Sequence, residues 1–446
     1  MIIKIAGAGA GKTTKMAESI IAKQETLSKD KNIYCITFTN NAVSCIKDKL
    51  IKHYGEIPEN IKLSTIHSFL YQDIIKPYYY LLYGNQFEQI SNIELSPIPK
   101  YKRWKISELE KNGTIHVTIF TERAKWVICK KSSDRKKEKD IRTTILETFA
   151  KYCGHIFIDE AQDMDNNMLE IVKKFDDISI PIELIGDPKQ DLKGFGSLRT
   201  LANDFADKTA HINNCHRCPQ KHLDISNSIV SEIEKQTSEK ENGELSILFE
   251  NDINMCKFLK ENSFDLMYIS EKNDRFSTHD KSISNPQFDT LFHEIEKLFL
   301  NTLTNKEELL IKQFAYHLAN KLITAYGTSN NSKQAMKILC DYFTVDKTSY
   351  ARIIKALEIK NKLPIDEIIV SSIDKIKGQE GPNCLFILTS DLAPYLFLDK
   401  KQNNKIKNRL YVALTRSLDK LTIIISKEVN DKYKTDFITK FFNEYI

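Results

Sequence analysis

The chain begins with MIIKIAGAGAGKTT (residues 1–14), a short apolar segment followed at once by a glycine-rich loop and a Lys-Thr pair. Ile2–Ala6 is β-branched and apolar on both faces, which predicts a strand of a covered parallel sheet. A glycine-rich loop between a strand and a helix turns its backbone N–H groups toward a phosphate. Lys12 would neutralise phosphate charge, and the Thr13 hydroxyl would hold Mg²⁺. The opening residues therefore predict a nucleoside triphosphate site in an α/β fold.

The alternation of apolar strands and helical segments continues along the chain. Further strands are predicted at Ile33–Phe38, Ile61–Thr65, His155–Ile158, Ile182–Ile185, Glu367–Ile373, Asn383–Leu388 and Leu421–Ser426, and helices at Thr14–Leu27, Asn41–His53 and Lys405–Ser417. This βαβ pattern is typical of doubly wound α/β domains with parallel sheets, and its return near the end predicts two lobes. The predicted domains are a first lobe (1–75 and 150–230), an inserted, mostly helical basic subdomain (76–149), and a second lobe (244–446) with a mostly helical segment near 286–360.

Composition indicates a globular protein without a membrane segment. The 446 residues are 41% hydrophobic and 28% charged, as in ordinary soluble domains. Nine cysteines, an odd number spread over the chain, predict reduced thiols and a cytoplasmic location rather than a disulfide framework. The net charge is +5, and residues 101–150 alone hold 13 Lys and Arg against 7 Asp and Glu. The inserted subdomain is therefore the basic part of the molecule.

Two adjacent carboxylates follow the apolar segment Ile156–Ile158. Asp159 and Glu160 would lie at the carboxyl end of a strand, where ligands of open α/β sheets bind. They can divide the work, with Asp159 in the metal shell and Glu160 polarising a water for attack on the γ-phosphate. The alternative is a solvated helix N-cap, but the glycine-rich loop upstream favours the catalytic interpretation.

Taken in order, these segments and several others resemble the motifs of superfamily 1 helicases of the UvrD/Rep type. The segments are Gly7–Thr13 (GAGAGKT), Thr37–Ala42 (TFTNNA), Ser64–Phe69 (STIHSF), Asp159–Asp163 (DEAQD), Gly186–Gln190 (GDPKQ), Asn214–Arg217 (NCHR), Ser372–Glu380 (SIDKIKGQE) and Leu410–Arg416 (LYVALTR). The resemblance spans nearly the whole chain. It implies two RecA-like lobes and an NTP-dependent DNA helicase or translocase that moves 3′-to-5′ on single-stranded or forked DNA.

The resemblance also implies a set of nucleotide residues, with Mg²⁺ and ATP as cofactors. Hydrolysis would be carried by Lys12, Thr13, Asp159, Glu160, Gln190, Arg217 and Arg416. The nucleotide would contact Gly7, Ala8, Gly9, Ala10, Gly11, Lys12, Thr13, Thr14, His216, Gly378 and Glu380, with Thr13 and Asp159 as metal ligands. Arginine suits the γ-phosphate because its planar guanidinium forms forked hydrogen bonds and stays ionised.

DNA contacts are expected at two kinds of site. The helicase motifs would supply Phe38, Thr39, Asn40, Thr65, His67, Phe195, Ser372 and Lys375. Phe38 and Phe195 are candidate stacking platforms for unpaired bases, although core packing is the alternative for Phe38. The basic run Lys130, Lys131, Arg135, Lys136, Lys137 and Lys139 would meet DNA phosphates, and the alternative there is a solvated helix face.

Several departures from the family pattern leave other interpretations open. The sequence has no room before its first strand for the glutamine that reads adenine in the family, so other purine triphosphates are expected to serve beside ATP. Lys193, Phe195 and Gly196 stand where relatives carry Tyr, Trp and Arg, which predicts looser coupling to DNA movement. The spacing His211-x3-Cys215-x2-Cys218-x3-His222 is that of zinc sites, but it overlies the arginine motif, which we favour.

The short second lobe resembles the compact helicase subunits that work beside a separate nuclease in bacterial antiviral systems such as Gabija. This implies a nuclease partner. The rival interpretation is a nucleotide-gated regulatory subunit that senses DNA ends for a nuclease complex and unwinds little.

Overall fold

A computed structural model describes residues 1–278, 286–302, 308–329, 331–359 and 368–445. The chain forms two compact units, one of Met1–Glu271 with Ser372–Ile446 and the other of Lys272–Ser371. The strands are β1 (Ile2–Ala6), β2 (Asn32–Thr37), β3 (Ile61–Thr65), β4 (Gln89–Ser91), β5 (Thr114–His116), β6 (Cys153–Ile158), β7 (Ile182–Gly186), β8 (Thr209–Ile212), β9 (Glu244–Phe249), β10 (Leu266–Ile269), β11 (Phe276–Ser277), β12 (Ile368–Ile369), β13 (Ser371–Ser372), β14 (Gly381–Leu388) and β15 (Ser417–Ile425).

The helices surround these strands. They are α1 (Lys12–Thr26), α2 (Asn40–Tyr54), α3 (Ile66–Phe69), α4 (Lys76–Tyr83), α5 (Pro99–Lys111), α6 (Phe120–Ile128), α7 (Lys136–Tyr152), α8 (Asn166–Asp177), α9 (Ser197–Asp204), α10 (Gln220–Ser228), α11 (Met255–Glu261), α12 (Pro286–Thr302), α13 (Glu308–Ser329), α14 (Ser332–Cys340), α15 (Lys347–Leu357), α16 (Ala393–Leu396), α17 (Lys405–Leu414), α18 (Lys427–Tyr433) and α19 (Thr435–Phe442). Among the described residues, no helix combines the length and the apolar character needed to cross a membrane.

The first unit contains two parallel sheets, which confirms the predicted fold class. The strand order is β3-β2-β6-β7-β1-β8 in the first sheet and β13-β10-β14-β15-β9 in the second. In the first sheet β1 lies between β7 and β8, and β6 lies between β2 and β7, with all pairs parallel. The loops that follow β1 and β6 therefore leave the same edge of the sheet, where ligands of such sheets bind.

Some element boundaries differ from those predicted. The helix predicted over Lys405–Ser417 ends at Leu414, because Ser417 begins β15. The strand predicted at Glu367–Ile373 is found as the two short strands β12 and β13, and Glu367 lies outside the described residues. Strands β8, β9 and β10 are not predicted from the sequence, since each is only partly buried and lacks a long apolar run.

Separate hydrophobic cores lie under these elements. One runs without a break from the first sheet (Ile3, Ile156) into the region between α4 and α7 (Ile115, Phe120, Ile128). A second lies around β14, β15 and α17. The Lys272–Ser371 unit has a core of its own, formed by α12 to α15.

Candidate nucleotide-binding site

The glycine-rich loop joins β1 to α1, and its backbone requires glycine at two positions. Gly9 (φ 69°) and Gly11 (φ 72°) lie in the left-handed region, which glycine enters without steric cost. A Cβ on Gly9 would also overlap the Cβ of Arg217. The His216 N–H donates to the Gly9 carbonyl at 2.9 Å. The loop is therefore packed directly against the segment that carries Arg217.

A closed triangle of hydrogen bonds holds the next residue of the loop. The Ala8 N–H donates to Tyr411 Oη (3.0 Å), the Tyr411 hydroxyl donates to Gln236 Oε1 (2.6 Å), and Gln236 Nε2 donates to the Ala8 carbonyl (3.0 Å). Tyr411 and Gln236 are each only 2% exposed. Both backbone groups of Ala8 are thus used by protein partners. Sequence reasoning misses these two roles: Tyr411 lies in a quoted motif without a role of its own, and Gln236 lies in a polar segment without a motif.

Replacing Tyr411 by phenylalanine should therefore raise the KM for ATP. The change leaves the buried Ala8 N–H without its partner, at a cost of about 1–3 kcal/mol, and frees the loop to shift. We expect KM to rise about tenfold, the equivalent of roughly 1.4 kcal/mol, while kcat changes little. Steady-state hydrolysis over a range of ATP concentrations measures both.

Tyr395→Phe is the matched control. Tyr395 is equally buried, and its hydroxyl accepts a hydrogen bond from Asn404 at 2.6 Å. This variant should leave KM unchanged. Equal KM values in the two variants would contradict a positioning role for Tyr411.

The two carboxylates lie directly after the fully buried strand β6. Asp159 is 0% exposed, and the Thr13 hydroxyl donates to its Oδ2 at 3.2 Å. Burial, reinforced by the negative charge of Glu160, raises the pKa of Asp159 to about 6. A buried carboxylate beside a hydroxyl is the oxygen donor set that Mg²⁺ prefers. The pair Thr13 and Asp159 therefore fits the metal that the resemblance implies.

Glu160 has a left-handed backbone, which is rare for a residue with a side chain. Its φ is 52°, and its N–H donates to Asp159 Oδ1 at 2.8 Å. Strained residues of this kind cluster at functional sites. Burial opposes ionisation of its carboxyl group, but the ammonium groups of Lys12 and Lys377 outweigh burial and lower the pKa of Glu160. The carboxylate is therefore ionised and able to accept a proton.

Gln162 links Glu160 to the next motif. Its amide Nε2 donates to the Glu160 carboxylate, and its Oε1 accepts the Asp187 N–H at 2.9 Å. Asp187 in turn accepts from Gln190 Nε2 at 2.9 Å and pairs with Lys189 at 3.2 Å. Gln162 lies in a quoted motif, but its bridging role is visible only in the structure.

Both candidate phosphate-sensing arginines are held by protein groups. Arg217 Nε pairs with Glu380 Oε2 at 2.5 Å, and its Nη1 donates to the Thr415 carbonyl at 3.3 Å. Arg416 is fully buried and donates to the carbonyls of Val412 (3.0 Å) and Gln379 (3.3 Å). Burial, together with the nearby Arg217, lowers the pKa of Arg416 to about 10.

One cavity of about 410 Å³ brings most of the predicted nucleotide residues together. Its walls are Gly9, Ala10, Gly11, Lys12, Thr13, Thr14, Glu160, Gln190, His216, Arg217, Gly378, Glu380, Arg416 and Leu418. Of the predicted set, Gly7, Ala8 and Asp159 are not in this wall. Gly7 and Ala8 pack against Gln236, and Asp159 lies beneath Thr13.

An ion pair joins the segments of the two sheets beside this cavity. Lys377 Nζ lies 2.6 Å from Asp163 Oδ1, and both side chains are largely buried. Asn408 adds a second link by donating to the Asp191 carbonyl at 2.9 Å. Lys377, Asp163 and Asn408 are not among the predicted site residues.

Two of the predicted DNA residues flank one cation. Lys193 Nζ lies 5.9 Å from the ring centroid of Phe38 and 5.8 Å from that of Phe195. Phe195 is 40% exposed, whereas Phe38 is partly buried against the first core. Phe195 can therefore offer a ring face to a base, and Phe38 offers less of its surface.

The other predicted DNA residues have mixed surroundings. The hydroxyls of Thr39 and Thr65 accept the N–H groups of Ala42 (3.2 Å) and Ser68 (3.3 Å) and so cap α2 and α3. Asn40 and His67 are exposed. The Lys375 N–H donates to the Ser372 carbonyl at 2.9 Å, which forms a turn after β13.

The basic run is divided between surface and support. Lys130, Arg135, Lys136, Lys137 and Lys139 are exposed. Lys131 instead places its ammonium group 3.6 Å from the ring centroid of Trp126. Arg142, just beyond the run, is buried and paired with Asp134 at 2.8 Å.

The residues of the zinc-like spacing are used in other ways. His222 Nε2 lies 3.0 Å from the Glu244 carbonyl, and Cys215 Sγ accepts the Cys218 N–H at 3.4 Å. Within the part of the chain that the structure describes, no three His, Cys, Asp or Glu side chains group as a metal site requires.

Comparisons with known proteins add sequence relatives to this geometry. A family model described as an AAA domain matches residues 1–196. The chain is 25% identical to the Gabija protein GajB of Bacillus cereus, over 99% of this chain and 96% of that protein. It is 23% identical to the ATP-dependent DNA helicase Rep of Buchnera aphidicola, over 99% of this chain and 72% of that protein. A shorter match, 31% identical, joins 26% of this chain to 11% of one polypeptide of the ATP-dependent helicase/nuclease of Limosilactobacillus fermentum.

Proposed function

We propose, from the confirmed resemblance of this chain to UvrD/Rep-type superfamily 1 helicases and to Gabija GajB, that it is an ATP-driven motor moving 3′-to-5′ along single-stranded DNA. The relatives support the coarser statement, a helicase with ATPase activity. The nucleotide cavity carries the finer proposal, because its walls combine the phosphate loop and Glu160 with Arg217, Glu380 and Arg416.

Each wall of the cavity has a distinct chemical task. Lys12, Arg217 and Arg416 would balance the charge of the phosphates. Glu160, ionised and buried, would accept a proton from the attacking water. Thr13 and Asp159 would hold Mg²⁺, which when bound neutralises further phosphate charge.

The arginine contacts suggest how nucleotide would change the molecule. Arg217 is paired with Glu380, so a γ-phosphate has to compete with that carboxylate for the guanidinium. Binding would exchange the partner of Arg217, and hydrolysis would restore the original pair. Such an exchange of partners across a cleft is a common basis of motor movement.

DNA would follow the exposed rings and cations outside the cavity. Phe195, Phe38 and Lys193 form one candidate contact, in which bases stack on rings and the ammonium group meets phosphate. The exposed members of the basic run would hold a duplex ahead of the motor. Lys131 is expected to contribute less, because its ammonium group already lies over Trp126.

The test is hydrolysis with and without DNA, followed by strand separation on tailed duplexes. We expect single-stranded DNA to stimulate ATP hydrolysis more than tenfold, and duplexes with a 3′ tail to be separated in preference to those with a 5′ tail. Mg²⁺ removal should stop hydrolysis in both conditions. Hydrolysis that is equal with and without single-stranded DNA would contradict the proposal.

A second candidate is a nucleotide-gated component of a nuclease complex in antiviral defence, as the name of the relative GajB suggests. The capture of both arginines by protein groups favours gating. Hydrolysis without strand separation, together with co-purification of a nuclease, would select this alternative.

A further inference from the structure

Helix α5 exposes two large aromatic rings on one face. Tyr101 is 58% exposed and Trp104 is 63% exposed. Residues three apart lie on the same side of a helix, so the two rings share one surface. Ile98, which precedes the helix, is 52% exposed and lies one turn before Tyr101. A large, uncovered aromatic surface of this kind marks an interaction site.

The opposite side of α5 is firmly anchored. Ile106 is buried in the core shared with the first sheet. Near the end of the helix, Glu110 forms a two-pronged ion pair with Arg123, at 2.6 Å to Nε and 3.0 Å to Nη2. The exposed rings are therefore carried on a fixed helix and need little ordering on binding.

The surroundings of the two rings are strongly cationic. Lys100, Lys102, Arg103 and Lys105 lie in the segment 95–107, which contains no Asp or Glu. Lys100, Lys102 and Arg103 are exposed, and Lys105 pairs with Glu108 at 3.2 Å. The partner of this face must therefore be anionic.

We propose that this face of α5 binds single-stranded nucleic acid, with bases stacked on Tyr101 and Trp104 and phosphates held by Lys100, Lys102 and Arg103. Cations interleaved with aromatic rings form the usual platform for unpaired strands. Duplex bases are excluded, because their faces are already stacked on each other. The proposal rests on the proposed function for the substrate class and adds a strand-binding surface outside the helicase motifs.

A protein partner is the alternative occupant, and the lysines argue against it. Centres of protein–protein interfaces are depleted in lysine, because its strongly hydrated ammonium group is costly to strip of water. Phosphate contacts, in contrast, leave that group partly hydrated. Lys100 and Lys102 beside the rings therefore favour nucleic acid.

The two tryptophans of the chain make the test local. In a Trp126→Phe background, Trp104 is the sole tryptophan, and its fluorescence reports contact at α5 alone. Titration of the full chain with an oligo-dT strand should quench this fluorescence in a saturable way. Tyr101→Ala in the same background should raise the half-quenching concentration about tenfold, within the range known for one stacked base.

Three probes separate stacking from charge. A phosphodiester strand without bases should bind weakly and quench little, and a blunt duplex should not quench. Changing Lys100, Lys102 and Arg103 together to Gln should reduce the salt dependence of quenching by about 2 log units per log unit of salt, since each phosphate contact contributes about 0.7. Tyr342→Ala is the matched control: Tyr342 is 79% exposed but follows Asp341, and its loss should leave the half-quenching concentration unchanged.

The readouts keep this proposal apart from the motor function. Stimulated hydrolysis without any Trp104 response to bound DNA would overturn the α5 surface alone. A Trp104 response without stimulated hydrolysis would overturn the motor proposal alone. If Trp104 responds only to an added protein, the face is a protein interface and the α5 proposal is wrong. The quench lost on changing wild type to Trp104→Phe, with Trp126 retained, gives a second measurement in case Trp126→Phe folds poorly.

Discussion

Glu160→Gln should bind ATP as the wild type does and yet hydrolyse it about 10²–10⁴-fold more slowly, the usual contribution of a general base. The amide keeps the size of the side chain and can still accept the hydrogen bond from Gln162, so the local structure should persist. It cannot take the proton from water. Single-turnover hydrolysis and a direct nucleotide-binding titration measure the two effects separately.

Glu18→Gln is the control for this change. Glu18 lies exposed on α1, outside the cavity, and its neutralisation should alter neither binding nor turnover. If Glu160→Gln kept more than a tenth of the wild-type turnover, Glu160 would not be the base.

Arg217→Lys should lower the rate of hydrolysis about 10³-fold, as loss of a phosphate-sensing arginine does in other nucleotide hydrolases. Lysine keeps the positive charge but lacks the planar fork, and here that fork already serves Glu380 and the Thr415 carbonyl at once. Nucleotide affinity should change only a few-fold. The ratio of kcat to KM, compared with a binding titration, separates the two effects.

Arg199→Lys tests whether any ion-paired arginine would behave in this way. Arg199 pairs with Glu234 at 3.1 Å and does not line the nucleotide cavity, so its replacement should leave hydrolysis within about twofold of wild type, as surface ion pairs usually do. Hydrolysis by Arg217→Lys within tenfold of wild type would remove Arg217 from the reaction.

The parts of the fold that could be predicted are those with a local signal. Strands β1 and β3 have the predicted limits because a short apolar run bounded by helices or turns has few other solutions. The edge strand β8 could not be predicted in this way. Its residues are partly exposed and do not alternate clearly, and it is a strand only because β1 offers it a parallel partner.

The same distinction applies to the candidate site. Lys12 and Glu160 could be proposed from their neighbours in sequence, and their roles remain predictions. Gln236 could not, because its two partners, Ala8 and Tyr411, lie far from it along the chain and meet it only in the folded lobes. Trp104 carries no signal either, since only the folded chain shows which aromatic rings stay uncovered.

The small Lys272–Ser371 unit has a consequence for how chains of this kind diversify. Near its two ends, β11 and β12 pair side by side, so the chain leaves and returns about 4.8 Å apart, the spacing of neighbouring strands. Its core is built from its own helices. Such a segment can be enlarged, trimmed or exchanged between genes without changing the path of the surrounding chain. The region between α4 and α7 has no such freedom, because it shares a core with the first sheet and would have to change together with that sheet.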